Sequence, residues 1–343
     1  MAYYDGTKLL SLMDINGNKP ELIMCDGNRT AGKTTWFNRY LVKKFKEGKG
    51  KFILINRFSY ELCEIGDKFF KDIKTLFFPT DNFSTVSKAK GIYHELYLND
   101  KNCGYAISLN NADQIKKFSH LLCDVERGFM DEYQSETNHY CSNEINKLIS
   151  VHTSLARGNG KQTKYLPFYM ASNSVSLINP YYTALGISTK LKKETKFLRG
   201  DGYVLERAYV ESAADALKSS AFNRAFIESK YVAYASQNIY LNDNEAFISP
   251  PMGRGNYVLT IKYQDKHFGI IEYPNDGIVY VSHKADKTFP KKISVTTEDH
   301  NINYVMLANN SFLITAYRNF FNRGCIRFSN LESKEAFLTL ISY

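Results

Sequence analysis

The sequence predicts an α/β fold in two unequal parts: a parallel-sheet unit, then a smaller α/β unit led by antiparallel strands. Three observations carry this. An apolar run, Leu22 to Cys25, passes through a glycine-containing turn into a helical segment and on to a second apolar run, Phe52 to Asn56. Strand, loop, helix and strand in that order open a parallel α/β sheet. After PPMGRG (250–255) the texture changes to short alternating runs of β-formers separated by turn residues.

Each element follows from local pattern. Residues 1–20 are polar, with Gly and Pro, and predict an arm. The first helix ends near Lys46, where EGKGK breaks it. Further strands are predicted at 105–109, 125–130 and 166–171, and a helix at 143–155. Residues 203–249 contain neither Gly nor Pro and predict a helical connector. YVLTIKY, HFGIIEY, GIVYVSH and KISVTT predict the strands of the second part, with helices at 310–322 and 332–341. The predicted organisation is 1–202, a linker 203–249, and 250–343, without internal repeats.

Composition bounds the function. Of 343 residues, 44% are hydrophobic and 23% charged, an ordinary globular balance. No stretch of about 18 apolar residues could span a bilayer, and MAYYDGTKLL lacks a secretory pattern, which predicts a soluble intracellular protein. Six cysteines form no C-x-x-C pair, so reduced, packed thiols are expected. The net charge is +9 and unevenly placed. Between Arg157 and Gly200 eight basic residues (Arg157, Lys161, Lys164, Lys190, Lys192, Lys193, Lys196, Arg199) face one acid, Glu194. Concentrated positive charge suits a polyanion. The six basic residues from Arg39 to Lys51, which follow the turn on one helix, read instead as a solvated face.

The strongest motif is Gly27-Asn28-Arg29-Thr30-Ala31-Gly32-Lys33-Thr34, which matches G-x-x-x-x-G-K-[ST]. Glycines let successive N–H groups turn inward on a β-phosphate. Lys33 would span the β- and γ-phosphates of ATP, and the Thr34 hydroxyl would ligate Mg2+. The following helix adds its N-terminal partial positive charge. Such a loop needs a second acid at the end of a later strand. Asp131 fits, with Glu132 beside it to polarise the attacking water. Glu126, Arg127 and Gly128 interrupt the apolar run before it, and Asp124 is a rival. YLPFYMASN ends in Ser172-Asn173, placed to touch the γ-phosphate or the water. Arg157, in a polar loop, could complete a neighbour's site or contact phosphate backbone. Arg57, after the second strand, is either a nucleotide contact or a surface charge.

GNRTAGKT, INRFSYEL, MDEYQSE, NEINKLISVHTSLARGNGK and above all ASNSVSLINPYY resemble the DNA encapsidation ATPases of small, short-tailed phages with protein-primed linear genomes. The likeness continues through NYVLTIKYQDKHFGIIEYPNDGIVYVS and RGCIRFSN. It implies a P-loop NTPase core of the additional-strand ring-translocase type. It also implies an oligomeric, typically pentameric, ring that drives double-stranded DNA into an empty procapsid by ATP hydrolysis. Carried across residue by residue, Lys33 and Thr34 become the phosphate and metal contacts, Asp131 the metal-side acid and Glu132 the catalytic glutamate. Arg157 becomes a finger acting on the neighbouring subunit, and Asn173 the sensor. The second part would be a ribonuclease-H-like unit without nuclease chemistry, binding DNA, the portal or a structural packaging RNA. The site of action implied is the host cytoplasm, transiently at the portal vertex, with the protein absent from the mature virion. Lys161, Lys164, Lys190, Lys192, Lys193 and Lys196 are the candidate DNA contacts. A terminase-like enzyme with an active nuclease and a non-hydrolysing nucleic-acid scaffold are the alternatives.

Overall fold

The strand that leads into the phosphate-loop motif lies inside a nine-stranded sheet. The computed structural model describes residues 3–137, 139–157, 162–187, 190–191, 195–237, 240, 247–306 and 311–342. It divides into two units, residues 1–242 and 243–343. In the first, the strands are β1 (Leu22–Gly27), β2 (Lys51–Asn56), β3 (Phe83–Lys88), β4 (Tyr93–Leu98), β5 (Lys101–Ser108), β6 (Val125–Asp131), β7 (Phe168–Ala171), β8 (Phe197–Gly200) and β9 (Tyr203–Ala208). Their order is β3-β4-β5-β2-β6-β7-β1-β9-β8. From β5 to β9 every pairing is parallel, while β3, β4 and β8 join antiparallel at the edges. The strand β7 is inserted between β1 and β6, which is the additional-strand arrangement.

Helices cover both faces: α1 (Thr7–Ser11), α2 (Lys33–Lys46) and α3 (Ser59–Phe77) on one, α4 (Ala112–Ile115), α5 (Glu144–Leu155) and α6 (Pro180–Leu185) on the other. Leu9, Phe37, Leu41 and Ile73 belong to the core on the sheet face that carries Ile23 and Cys25 of β1, whereas Ile115, Val151, Tyr181 and Tyr182 belong to the core on the face that carries Met24. A strand covered on both sides reads as a continuous apolar run rather than an alternating one, which is why β1 and β2 are so plain in the sequence. None of the described helices is long and apolar enough to cross a membrane.

Two expectations are corrected. The arm expected at 1–20 is not what the described residues from 3 onward form: Tyr4 and Leu9 are buried, and the Tyr4 hydroxyl donates to Glu206 at 2.8 Å. The polar residues between them mask this burial in the sequence. The segment 203–208 is a strand, not the start of a helical connector. Lack of Gly and Pro permits both, and Tyr203, Val204 and Leu205, buried in succession, fill a place inside the sheet. Helices follow only from α7 (Glu211–Ser219) through α8 (Ala221–Ala225) to α9 (Lys230–Gln237).

The broken apolar run before Asp131 is resolved by packing. The Arg127 guanidinium turns back to the carbonyls of Lys49 (2.6 Å) and Gly50 (3.2 Å) before β2. Gly128 leaves room for the Phe168 ring, which a Cβ would meet at 2.6 Å. The rival Asp124 precedes β6 at its other end and pairs with Lys51 at 2.5 Å.

The second unit contains β10 (Asn256–Tyr263), β11 (Lys266–Tyr273), β12 (Ile278–Ser282), β13 (Lys292–Ser294), β14 (Val305–Met306), α10 (Ser311–Asn322), β15 (Ile326–Phe328) and α11 (Leu331–Ser342). The strand order is β14-β13-β10-β11-β12-β15. An antiparallel meander, β10 to β12, carries β13 parallel to β10 and β14 parallel to β13. This is the ribonuclease-H order, extended by β15 beside β12. The strand β10 carries no carboxylate, and Asp299 is committed to the Gln264 and Asp265 amides and the Thr296 hydroxyl. Among the described residues no three His, Cys, Asp or Glu side chains converge as a metal site.

If the N-terminal segment is part of the first unit's core, Leu9→Ala costs about 2–5 kcal/mol. That corresponds to a fall in Tm of roughly 2–4 °C per kcal/mol for a unit of this size. Thermal denaturation by circular dichroism measures it, and an unchanged Tm would mean that the segment is dispensable.

Candidate nucleotide site

The site begins where β1 runs out. At Gly27 a Cβ would lie 2.1 Å from the Ala208 carbonyl oxygen of β9, so only glycine permits the two backbones this approach. Asn28 follows, buried, and exchanges two hydrogen bonds with the Val210 backbone, at 3.1 and 3.0 Å. Thr30 (φ +57°) and Gly32 (φ +90°) are both left-handed and curl the chain into α2. The first amides of α2 have no carbonyl one turn earlier and present a positive helix end to the cleft. Lys33 is buried, its ammonium donating to the Asn28 carbonyl at 2.7 Å and reaching Asn173 Oδ1 at 3.4 Å. Burial lowers its pKa.

The opposite wall comes from β6 and β7. Register places Cys25 and Asp131 on either side of Ala171. The strand ends therefore align, and Asp131 comes opposite α2. Thr34 Oγ1 donates to Asp131 Oδ1 at 3.0 Å. Burial, reinforced by the neighbouring Glu132 charge, raises the Asp131 carboxyl to about 6, against the opposing hydrogen bond from Thr34. A hydroxyl and a carboxylate at this spacing are hard oxygen donors that suit Mg2+, which takes one or two protein oxygens and completes its shell with phosphates and water. Glu132 is exposed and left-handed, φ +52°. Asn173 sits one residue beyond Ser172, whose hydroxyl donates to the Asn173 carbonyl at 2.7 Å and accepts from the Gln134 amide at 3.3 Å.

The other predicted residues divide. The Arg29 side chain leaves the loop to pair with Glu136 at 2.9 Å and to meet the Tyr231 hydroxyl, while its amide donates to Ala235 of α9 at 3.1 Å. Arg57 is neither a surface charge nor free for nucleotide. It is buried and bonded to Glu144 at 2.9 Å and to the Tyr133 carbonyl at 2.9 Å. Arg157 is exposed just beyond α5. Lys164 is withdrawn from any DNA role. Its ammonium donates to the carbonyls of Cys123 (2.7 Å) and Val125 and pairs with Glu126 at 3.1 Å, tying down the start of β6. Lys190 and Lys196 are exposed. Lys161, Lys192 and Lys193 lie outside the described residues.

Sequence reasoning missed the polar layer beneath the cleft. Gln134 accepts from the Val175 and Ser176 amides, both at 3.0 Å, and reaches Asp26 Oδ2 at 3.4 Å. Asp26 Oδ2 also accepts from Tyr182 at 2.8 Å and Tyr240 at 3.2 Å. Burial raises the Asp26 pKa. The signal available was the blocks MDEYQSE and NPYY themselves, which contain Gln134, Tyr181 and Tyr182.

A family model for the podovirus DNA encapsidation protein (Gp16) matches residues 1–341. The chain belongs to this family. It is 23% identical over 332 residues to the DNA packaging protein of Bacillus phage phi29, covering 96% of this chain and 93% of that protein. Its fold superposes on a chain of the bacteriophage Phi-29 viral genome packaging motor assembly with a TM-score of 0.70 at 21% identity, covering 100% of this chain and 98% of that one. On a chain of the Phi-28 gp11 DNA packaging motor the TM-score is 0.63 at 16% identity, with coverage of 99% and 98%. The likeness thus extends over both units, as the sequence resemblance implied.

Because the close approach at Gly27 leaves no space for a methyl group, Gly27→Ala forces β1 and β9 apart. A loss of about 1–3 kcal/mol, the usual cost of overpacking, should show as a lower Tm together with weakened nucleotide binding. A variant with wild-type melting and nucleotide affinity would contradict the tight packing.

Proposed function

We propose that this chain hydrolyses ATP with Mg2+ and, as an oligomeric ring at the portal of an empty procapsid, uses the energy to drive double-stranded DNA inward. The observation that carries this reading is the meeting of Thr34 and Asp131 at 3.0 Å, beside Lys33 and Asn173, across three aligned parallel strands. Membership of a DNA encapsidation family supplies the biological setting.

In this reading the curled turn from Gly27 to Gly32 presents its amides to the β-phosphate, and the Lys33 ammonium exchanges the Asn28 carbonyl for phosphate oxygens. Thr34 and Asp131 would hold Mg2+, which neutralises charge on the β- and γ-oxygens when bound. The Glu132 carboxylate, exposed at the cleft, accepts the proton of the attacking water. Asn173, within reach of Lys33, senses the terminal phosphate. The Ser172 and Gln134 contacts carry its position to the loop that leads to α6. Arg157, exposed, supplies positive charge to a neighbouring subunit's nucleotide, so the site is complete only in the ring. The family resemblance supports a pentameric ring.

Lys190 and Lys196, with Lys161, Lys192 and Lys193, grip DNA through phosphates, a contact that needs no base recognition. The second unit binds the portal, DNA or a structural packaging RNA. The protein works in the host cytoplasm and leaves the portal once the capsid is full.

ATP turnover measured with and without double-stranded DNA tests the reading. The wild type should hydrolyse ATP and be stimulated by DNA, Lys33→Ala should do neither, and Glu132→Gln should bind ATP while hydrolysing it at least about 100-fold more slowly. A Lys33→Ala protein with normal turnover would falsify it. Turnover per subunit should also rise with protein concentration, and Arg157→Ala should abolish that rise without changing nucleotide affinity. A rate independent of concentration, and unaffected by Arg157→Ala, would place each site within one subunit.

A further inference from the structure

Arg57, Glu144 and Tyr181 are distant in sequence and buried together, with 7%, 3% and 2% of their surface exposed. Arg57 follows β2, Glu144 opens α5 and Tyr181 lies in α6. Tyr181 donates its hydroxyl to Glu144 Oε1 at 2.5 Å, and the Cys141 amide donates to Oε2 at 2.8 Å. Glu144 in turn receives Arg57 Nε on both oxygens, at 3.2 and 2.9 Å. The two remaining guanidinium nitrogens point at main chain. Both meet the Glu132 carbonyl at 3.3 Å, and one meets the Tyr133 carbonyl at 2.9 Å.

The row of contacts thus ends on the backbone of Glu132. That residue holds a left-handed φ of +52°, which a side chain with a Cβ adopts only when its surroundings impose it. The Tyr133 amide, donating to the Ala171 carbonyl at 3.3 Å, holds the same peptide from the β7 side. A buried ion pair adds little stability over apolar residues of the same volume, so its presence here calls for a geometric reason. The fork of a guanidinium supplies one, because it can hold a carboxylate on one edge and carbonyls on the other, which an ammonium cannot.

We propose that Tyr181, Glu144 and Arg57 are a positioning relay that sets the backbone, and through it the carboxylate, of Glu132. The relay rests on the reading of Glu132 as the group that takes the proton from water. It assigns Arg57 a role in the rate of the chemical step and none in holding nucleotide. It also gives a task to the first tyrosine of the NPYY block.

The test is single-turnover ATP hydrolysis by the full chain at saturating MgATP, with affinity for a non-hydrolysable ATP analogue and Tm measured in parallel. Arg57→Lys should slow hydrolysis about 10- to 100-fold, the scale of an ångström-sized misplacement of a catalytic group. Analogue affinity should stay within about twofold of wild type on the same grounds. Tyr181→Phe, which keeps the ring packing and removes only the hydroxyl, should lower the rate in the same direction by less. In a Glu132→Gln background neither substitution should slow the residual rate further, since the carboxylate they position is gone. If Arg57→Lys slows both backgrounds by the same factor, or weakens analogue binding as much as it slows hydrolysis, the relay is overturned. If Tyr181→Phe hydrolyses ATP at the wild-type rate, its place in the relay is overturned. Full activity in Glu132→Gln itself would instead remove the reading of Glu132 on which the relay stands.

Discussion

The alignment of three parallel strand ends, with Cys25 and Asp131 flanking Ala171, is the constraint on which the rest of the first unit depends. Ligands of open α/β sheets lie beyond the carboxyl ends of the strands. Here that edge brings together four groups from three places in the chain. Lys33 and Thr34 come from the helix after β1, Asp131 ends β6, and Asn173 follows β7. A slip of one residue in β6 would turn Asp131 to the other face of the sheet. The irregularities of β6 serve this register. Arg127 fastens its start to the turn before β2, and Gly128 admits the Phe168 ring.

Beneath the cleft lies a polar layer whose members are satisfied mostly by one another. The adjacent tyrosines of α6 serve two different carboxylates: Tyr181 donates to Glu144, which holds Arg57, and Tyr182 donates to Asp26, at the end of β1. A single short helix therefore touches the supports of both walls of the nucleotide cleft. Buried hydroxyls and carboxylates are costly when unpaired, so such a layer tolerates few alternative arrangements. That rigidity suits a site in which a carboxylate must meet a water within a few tenths of an ångström. The second unit keeps the strand order of a ribonuclease-H-like fold while β10 has no carboxylate.

Much of this is legible from the residues. The phosphate-loop spacing locates Gly27 to Thr34, and continuous apolar runs locate β1 and β2, because strands covered on both faces have no polar side to confuse the pattern. Asp131 stands out despite the charged residues before it, on its spacing and its adjacent glutamate. What is not legible depends on tertiary partners. Arg57 reads as a surface charge or a nucleotide contact because nothing local announces Glu144, 87 residues away. Lys164 belongs to a basic stretch in the sequence, yet its ammonium lies among the carbonyls around the start of β6. The N-terminal segment reads as an arm because its inward-facing residues, Tyr4 and Leu9 among them, are separated by polar ones. The strand at 203–208 merges with a helical region because composition without Gly or Pro does not separate the two periods.

The central claim is that the curled turn before α2 holds the phosphates of ATP against the carboxylates at the end of β6. A structure of the chain bound to a non-hydrolysable ATP analogue and Mg2+ tests it most directly. The account predicts the β- and γ-phosphates on the amides of residues 27–34 and on Lys33, the metal between Thr34 and Asp131, and the Glu132 carboxylate facing the terminal phosphate. An analogue bound elsewhere, or a terminal phosphate remote from both acids, would contradict it.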